Sequence, residues 1–369
     1  NNTGVEFVYN DLTPNQQLTL SENEVNFLRG ERNFEEPLPG TLRERLADEG
    51  LLGDIINSSP VYVGSPRAFN RDQSPFPIDD LYSEFSADVS ARRQVVYVGA
   101  NDGMMHGFDA ETGAEVMAYV PNVIIDASND YSNKLTSFTS PFYLHDYYVD
   151  LSPRLNDVYM RPSTSDDKEW MTTLVGGLGA GGKGYFALNV TNPDTQFASQ
   201  AAAAGAALWE FTDQDDTYPL DVNGDPIGGA VGAITDFNGD PVKDLGYSLS
   251  LPIITLSNEV DTDTLNEWVA IFGNGSNSTS GIATLFVLFM DKGLNGWDTA
   301  GDFVKITTGA GVPLPGEQLE GYPNALGTPT AVDRDLNGTV DLVYAGDRLG
   351  NLWRFNLESS NSASWTATR

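Results

Sequence analysis

Two strand signals recur along this chain, and their alternation limits its fold more than any other feature. The first is a short segment leading into a β run. It occurs as Ser58-Ser-Pro-Val-Tyr-Val-Gly64, Tyr143-Leu-His-Asp-Tyr-Tyr-Val-Asp150, Leu245-Gly-Tyr-Ser-Leu-Ser-Leu-Pro252 and Gly327-Thr-Pro-Thr-Ala-Val-Asp333. The second is a strand, a glycine turn and a further strand. It runs from Val95 to Asp109, then Met171–Gly176 with Gly184–Leu188, Trp268–Gly273 with Ala283–Leu288, and Leu342–Phe355. The repeat is about seventy to eighty residues long, longer than a WD unit. Each copy reads as an antiparallel hairpin with buried apolar strands and an exposed glycine-rich turn. Repeating such sheets around an axis is one way a β protein protects its edges. The predicted class is therefore all-β, a modified β-propeller with long inserted loops, of which about four blades are recognisable.

Residues 1–50 do not match the repeat. They read as a lead-in segment with one short helix predicted over Thr41–Gly50, rich in Leu, Arg and Glu, ahead of a propeller over residues 51–369. Either this segment completes a blade with the C-terminus, or the chain ends before the ring closes. The polar Ser/Asn tail after Leu357 favours the truncated ring. The largest insertion, 213–244, is expected to interrupt a blade between Leu208–Asp213 and Leu245, and a loop of that length usually has a function.

Fifty-two acidic against twenty basic residues give a formal charge of -32. Such a surface repels phosphate backbones and excludes nucleic-acid binding, but it suits divalent cations. With no cysteine, disulfides, thiolate metal sites and Cys nucleophiles are excluded. The combination fits a bacterial surface protein stapled by calcium. No signal peptide and no apolar run of transmembrane length is present. The abrupt start at Asn1 suggests a part of something longer, with a secretion signal outside it.

The run Asp333-Arg-Asp-Leu-Asn-Gly-Thr-Val-Asp341 has the oxygen spacing of an EF-hand-type calcium loop. Asp333, Asp335, Asn337 and Asp341 fall at loop positions 1, 3, 5 and 9, the Thr339 carbonyl at 7, and Gly338 at 6 allows the sharp turn. Position 12, usually a bidentate Glu, is Tyr344 inside a predicted strand, so the loop is grafted onto a sheet. The insertion carries a companion: Asp236, Asn238, Asp240, the Val242 carbonyl and Asp244 follow the same spacing, with Pro241 and an offset glycine against it. A third run, Asp221–Gly229, fails at Gly229 unless Asp213, Asp215 or Asp216 completes its shell. Asn-Gly and Asp-Pro are also ordinary turn formers. Three carboxylates, an amide, a carbonyl and a water suit Ca²⁺; Mg²⁺ prefers fewer carboxylates, and Zn²⁺ would want His or Cys.

Other motifs carry less. Gly176–Gly184 contains Gly-x4-Gly-Lys but lacks the following Ser or Thr and helix, so it reads as a blade turn rather than a phosphate loop. The two histidines, His106 and His145, sit on separate repeats, and no nucleophile turn Gly-x-Ser-x-Gly exists. The expectation is no catalytic site.

Several stretches resemble the C-terminal β-propeller of the PilY/PilC family, type IV pilus tip-associated adhesins and biogenesis factors. They are Leu52–Gly64, Val96–Asp109 and Asp341–Phe355, with Val25-Asn-Phe-Leu-Arg-Gly30 and Leu42-Arg-Glu-Arg-Leu46 resembling the family's start. The resemblance implies a seven-bladed ring and a further N-terminal region, often with a von Willebrand A-like module. It places the family's calcium loop on Asp333, Asp335, Asn337, Thr339 and Asp341. It also implies that calcium there controls pilus extension against retraction, and so twitching motility and attachment. Expected partners are pilus components such as minor pilins, and a host or abiotic surface; the expected location is the cell surface, at the pilus tip or outer membrane. No Arg-Gly-Asp is present, Arg29-Gly-Glu31 being nearest, so an integrin-type contact does not carry over. The alternative is a calcium-containing quinoprotein dehydrogenase, whose propellers repeat a pattern like Asp109-Ala-Glu-Thr-Gly113. No set of basic residues for the quinone is evident. A glycan-binding propeller is a third class.

Overall fold

Four of the prolines decide where the blades begin. The computed structural model of the chain describes residues 4–36, 41–45, 50–68, 70–216, 243–299, 301–311 and 323–369. It is mostly β, in four antiparallel four-stranded sheets, each taken in chain order from its first strand to its last. The first holds β1 (Val61–Val63), β2 (Val95–Gly99), β3 (Met105–Asp109) and β4 (Glu115–Tyr119). The second holds β5 (Arg154–Met160), β6 (Glu169–Gly177), β7 (Gly184–Asn189) and β8 (Ala207–Thr212). The third holds β9 (Ile253–Val260), β10 (Asn266–Gly273), β11 (Ile282–Phe289) and β12 (Phe303–Gly311). The fourth holds β13 (Thr330–Val332), β14 (Leu342–Gly346), β15 (Leu352–Asn356) and β16 (Thr366–Thr368).

Every first strand starts on the residue after a proline: Pro60, Pro153, Pro252 and Pro329. Proline has no N–H to give a ladder, so pairing starts only beyond it. That corrects two of the strand signals. Tyr143–Asp150 and Leu245–Pro252 are not strands but approaches, and their N–H groups cross to other turns, Asp150 to the Leu178 carbonyl and Gly246 to that of Asn274. A serine fixes two of these approaches. Ser58 Oγ accepts the Gly99 N–H at 2.9 Å and donates to the Leu151 carbonyl of the next blade, and Ser250 does the same with Gly273 and Gly327. Gly99 and Gly273 are obligatory there, because a Cβ would lie 2.3 Å from the Val149 oxygen and 2.4 Å from that of Gly327.

Adjacent blades bury apolar faces against each other. Tyr97, Met105, Leu174 and Phe186 fill the space between blades 1 and 2; Phe211, Phe272 and Phe286 between 2 and 3; Ile271, Val287 and Phe355 between 3 and 4. Full burial of each such side chain is worth roughly 1.5–3 kcal/mol. The tail beyond Leu357 is not merely polar. Trp365 is buried against Phe289 and donates to the Ser359 carbonyl, which brings β16 onto β15.

The lead-in is helical elsewhere than expected. Helices α1 (Pro14–Thr19) and α2 (Glu22–Leu28) both start on capping boxes, Thr13 with Gln16 and Ser21 with Glu24. Residues 41–45 are not helical; Leu42 bridges to Glu35, and Arg45 turns its guanidinium onto the Glu35 carboxylate at 2.7 Å. Nor does the 213–244 insertion interrupt a blade. It joins β8, last strand of blade 2, to β9, first of blade 3. Between β1 and β2 the chain makes a long excursion through α3 (Tyr82–Asp88). There Tyr82 Oη bonds Asp157 at 2.7 Å, and Phe76 sits 6.3 Å from both Trp170 and Trp268. Among the described residues no helix is long and apolar enough to cross a membrane.

Candidate metal centre

The loop between β13 and β14 closes on its own acidic side chains. Asp333 accepts the N–H groups of Asn337 at 3.2 Å and Gly338 at 2.8 Å, and Asp335 accepts that of Asn337 at 3.1 Å. Asn337 Oδ1 accepts the Thr339 N–H at 2.7 Å, and Asp341 accepts the Arg334 N–H at 2.7 Å. These Asx-type bonds wind the chain inward, with Leu336 at φ 61 and Gly338 at φ 106. One oxygen each from Asp333, Asp335 and Asp341 lie within 4.8 Å of one another. Arg334 turns its guanidinium to Glu358, and among the described residues no ion pair reaches the three carboxylates.

The loop is seated on two distant elements. Asn258, from β9, donates to the Val340 carbonyl at 2.9 Å and lies 2.7 Å from Thr339 Oγ1, while Val340 N–H bonds the Leu256 carbonyl. From the excursion of blade 1, Arg71 donates to the Leu336 carbonyl at 3.1 Å. The Phe76 ring lies under Gly338 so closely that a Cβ would come within 2.8 Å of it. Thr339 is buried, Asp335 exposed, and Tyr344 is paired with Thr330 and Arg354 inside the sheet, where it offers no ligand. All donors that converge are oxygens, three of them carboxylate, which fits a hard cation of calcium's coordination number better than a transition metal. The convergence of Asp333, Asp335 and Asp341 is the part their spacing predicts; Asn258, Arg71 and Phe76 have no local signal.

The second acidic run fares differently. Asp236, Asn238, Asp240 and Val242 lie outside the described residues, as does the third run at 221–229. Asp244 is described, and its carboxylate is paired with Lys305 of β12 at 3.0 Å. Lys305 also holds Asp216 at 2.9 Å, and Asp216 accepts the N–H groups of Asp244 and Leu245 at 2.5 and 2.6 Å. Burial works against the ammonium, but Asp216 and Asp244 hold its pKa above the ordinary lysine range. Asp213 pairs with Lys183 at 3.8 Å, and Asp215 accepts from Thr212.

Both histidines are held by carboxylates. His106 is buried between Glu115 at 2.6 Å and Asp102 at 3.1 Å; burial favours the neutral ring, but the two carboxylates raise it to about 9. His145 pairs with Asp54 at 2.9 Å. The Gly176–Gly184 run is the β6–β7 turn. Asp109, first residue of the quinoprotein-like pattern, caps its own turn by accepting from Thr112 N–H and Oγ1 at 2.8 Å.

The PilY1 beta-propeller domain, as a sequence family, matches residues 52–367. The chain belongs to the PilY1 family. A type IV pilus biogenesis factor PilY1 homolog of Xylella fastidiosa is 34% identical over 96% of this chain and 23% of its own length. The type IV pilus biogenesis factor PilY1 of Pseudomonas aeruginosa strain UCBPP-PA14 is 31% identical over 93% of this chain, again 23% of its own. The crystal structure of the Pseudomonas aeruginosa PilY1 C-terminal domain superposes with a TM-score of 0.54 and 26% identity, covering 83% of this chain and 50% of that one. This chain therefore spans under a quarter of the length of these two relatives.

Proposed function

We propose that this PilY1-type propeller holds calcium through Asp333, Asp335, Asn337, the Thr339 carbonyl and Asp341. Occupancy of that loop regulates type IV pilus extension and retraction, and with them twitching motility and surface attachment. The observation that carries the reading is the convergence of three carboxylate oxygens within 4.8 Å. Two unit charges about 4 Å apart near a protein surface repel by roughly 4 kcal/mol, a cost that a divalent cation reverses. The loop is bonded to blade 3 through Asn258 and rests on Phe76, so its stiffening is passed to the packing between blades 3 and 4. The domain works at the cell surface, at the pilus tip or outer membrane, against minor pilins and a host or abiotic surface. No catalytic role is proposed, and the dehydrogenase alternative has no observation in its favour beyond the Asp109–Gly113 pattern.

Calorimetric calcium titration of the wild type and Asp341→Ala tests the site. The variant is expected to lose the binding isotherm and the calcium-dependent rise in Tm, about 2.7 kcal/mol of stabilisation at a hundredfold excess over Kd. Unchanged affinity would show the site to be misassigned. The regulatory step needs Asp341→Ala in the whole protein in cells: if twitching still follows calcium there, the switch fails even though the ion binds.

A further inference from the structure

β4, the outer strand of blade 1, has an edge left open. In this sheet Ala100 N–H bonds the Met104 carbonyl and Ala110 N–H that of Gln94, so the even-numbered residues of β3 face β2. Met105, Gly107 and Asp109 then face β4, as the bond from Asp109 N–H to the Ala114 carbonyl shows. Their partners Met117 and Tyr119 bond inward, which turns the N–H and C=O of Ala118 outward. Among the described residues nothing meets those two groups, and Ala118 is exposed.

An open edge is ordinary on an outer strand. This one is lined by a cleft of about 990 Å³ between β4 and the lead-in, with Met104, Phe108 and Met117 on the blade side and Leu12 and Leu28 opposite. Its charge is acidic on balance. Glu6, Asp102, Glu115 and Asp126 reach it, with Asp102 and Glu115 sharing the His106 ring, while its arginines are engaged by the chain itself, Arg29 on the Phe7 carbonyl and Gln200, Arg45 on Glu35.

We propose that this cleft receives an extended segment of a partner protein, which adds to blade 1 as a fifth strand along β4 and alternates apolar residues with lysine or arginine. Backbone groups of the edge supply the ladder, and the apolar and acidic walls read alternate side chains. A second copy of this chain is a poor occupant, since each carries a formal charge of -32. The inference does not depend on the calcium loop, and Asp341→Ala should leave it intact.

The probe is a short labelled peptide of alternating valine and lysine, followed by fluorescence anisotropy. Saturable binding is expected, with loss on N-methylation of every second residue and about a tenfold weakening by Ala118→Pro, which removes the outward N–H but none of the bonds to β3. The N-methylated peptide needs no variant, so a poorly folding Ala118→Pro leaves the test standing. Absence of saturable binding, equal binding of the N-methylated peptide, or equal binding of a valine–aspartate peptide overturns the proposal. So does a dimer in sedimentation that Ala118→Pro dissolves, because the occupant would then be a second copy.

Discussion

Two groups of clustered carboxylates in this molecule meet their mutual repulsion in opposite ways. At the foot of the insertion, Asp216 and Asp244 lie 3% and 7% exposed and share a lysine from β12. In the β13–β14 loop, Asp333, Asp335 and Asp341 run from half-buried to exposed to buried, and no ion pair among the described residues reaches them. Interior charges cannot wait for a counter-ion from solvent, because desolvating them unpaired costs several kcal/mol per ion. The loop can, because water screens the exposed Asp335 in the meantime and the Arg334 N–H bonds the buried Asp341. The lysine clasp is therefore permanent and joins both ends of the insertion to blade 3. The loop is the place where the calcium we propose would change the energetics.

The comparison is most severely tested by Lys305→Met. Removing the shared cation leaves two buried carboxylates uncompensated, and unfolding by urea should show a loss of roughly 3–5 kcal/mol. Adding Asp216→Asn and Asp244→Asn to the same chain should restore most of it, since a neutral cluster needs no cation. A loss under about 1 kcal/mol for the single variant would mean that the clasp does not hold the insertion, and the contrast with the loop would collapse.

Glu267 is an intermediate case. It is 2% exposed, its Oε1 has no hydrogen-bond partner among the described residues, and Lys292 stands 3.5 Å away, close enough for attraction only. Burial raises its pKa to about 7 against the pull of Lys292. A carboxyl raised on folding stabilises in its protonated form, so this contribution is complete below about pH 4.5 and drains away as pH rises through about 7. Stability measured between pH 5.5 and 8.5 should fall by roughly 2 kcal/mol, and Glu267→Gln should flatten that slope. A slope that survives the substitution would assign the titration to another group.

What could be read from the chain depended on whether the chemistry was contiguous. The candidate metal loop keeps its oxygens within nine successive positions, so their spacing is legible in the sequence. Its supports did not show, because Asn258 is 81 residues from Thr339 and Arg71 is 265 from Leu336. The inner hairpins were legible from their Val-Tyr-Val-Gly-like runs. The outer strands were not: β4 has two exposed residues in five, and β16 is three residues long. For the first strands the hydrophobic run misled by several residues where Pro153 and Pro252 marked the true start. A helix at 41–50 has only composition behind it, and its described part at 41–45 is not helical, whereas the helices at 14–19 and 22–28 carry capping boxes in the sequence. Arg45 had a carboxylate ten residues back to bind, and that tertiary bond outweighed its helix propensity.

The smallest expected effect separates charge from shape in the loop. Gly338→Ala leaves every carboxylate and every lysine in place, but the new Cβ meets the Phe76 ring, and φ 106 is a conformation an alanine resists. Phe76 cannot yield, being 6% exposed and packed between Trp170 and Trp268. Stability without calcium should therefore fall by about 1–3 kcal/mol. Calcium affinity should weaken as well, by about tenfold, because the Gly338 N–H that positions Asp333 moves with the turn. If stability falls while calorimetric affinity stays constant, the carboxylates gather without help from the turn, and charge alone defines the site. A weakened affinity would mean that the seat on Phe76 prepares the loop for its cation, just as the β12 strand prepares Lys305 for Asp216 and Asp244.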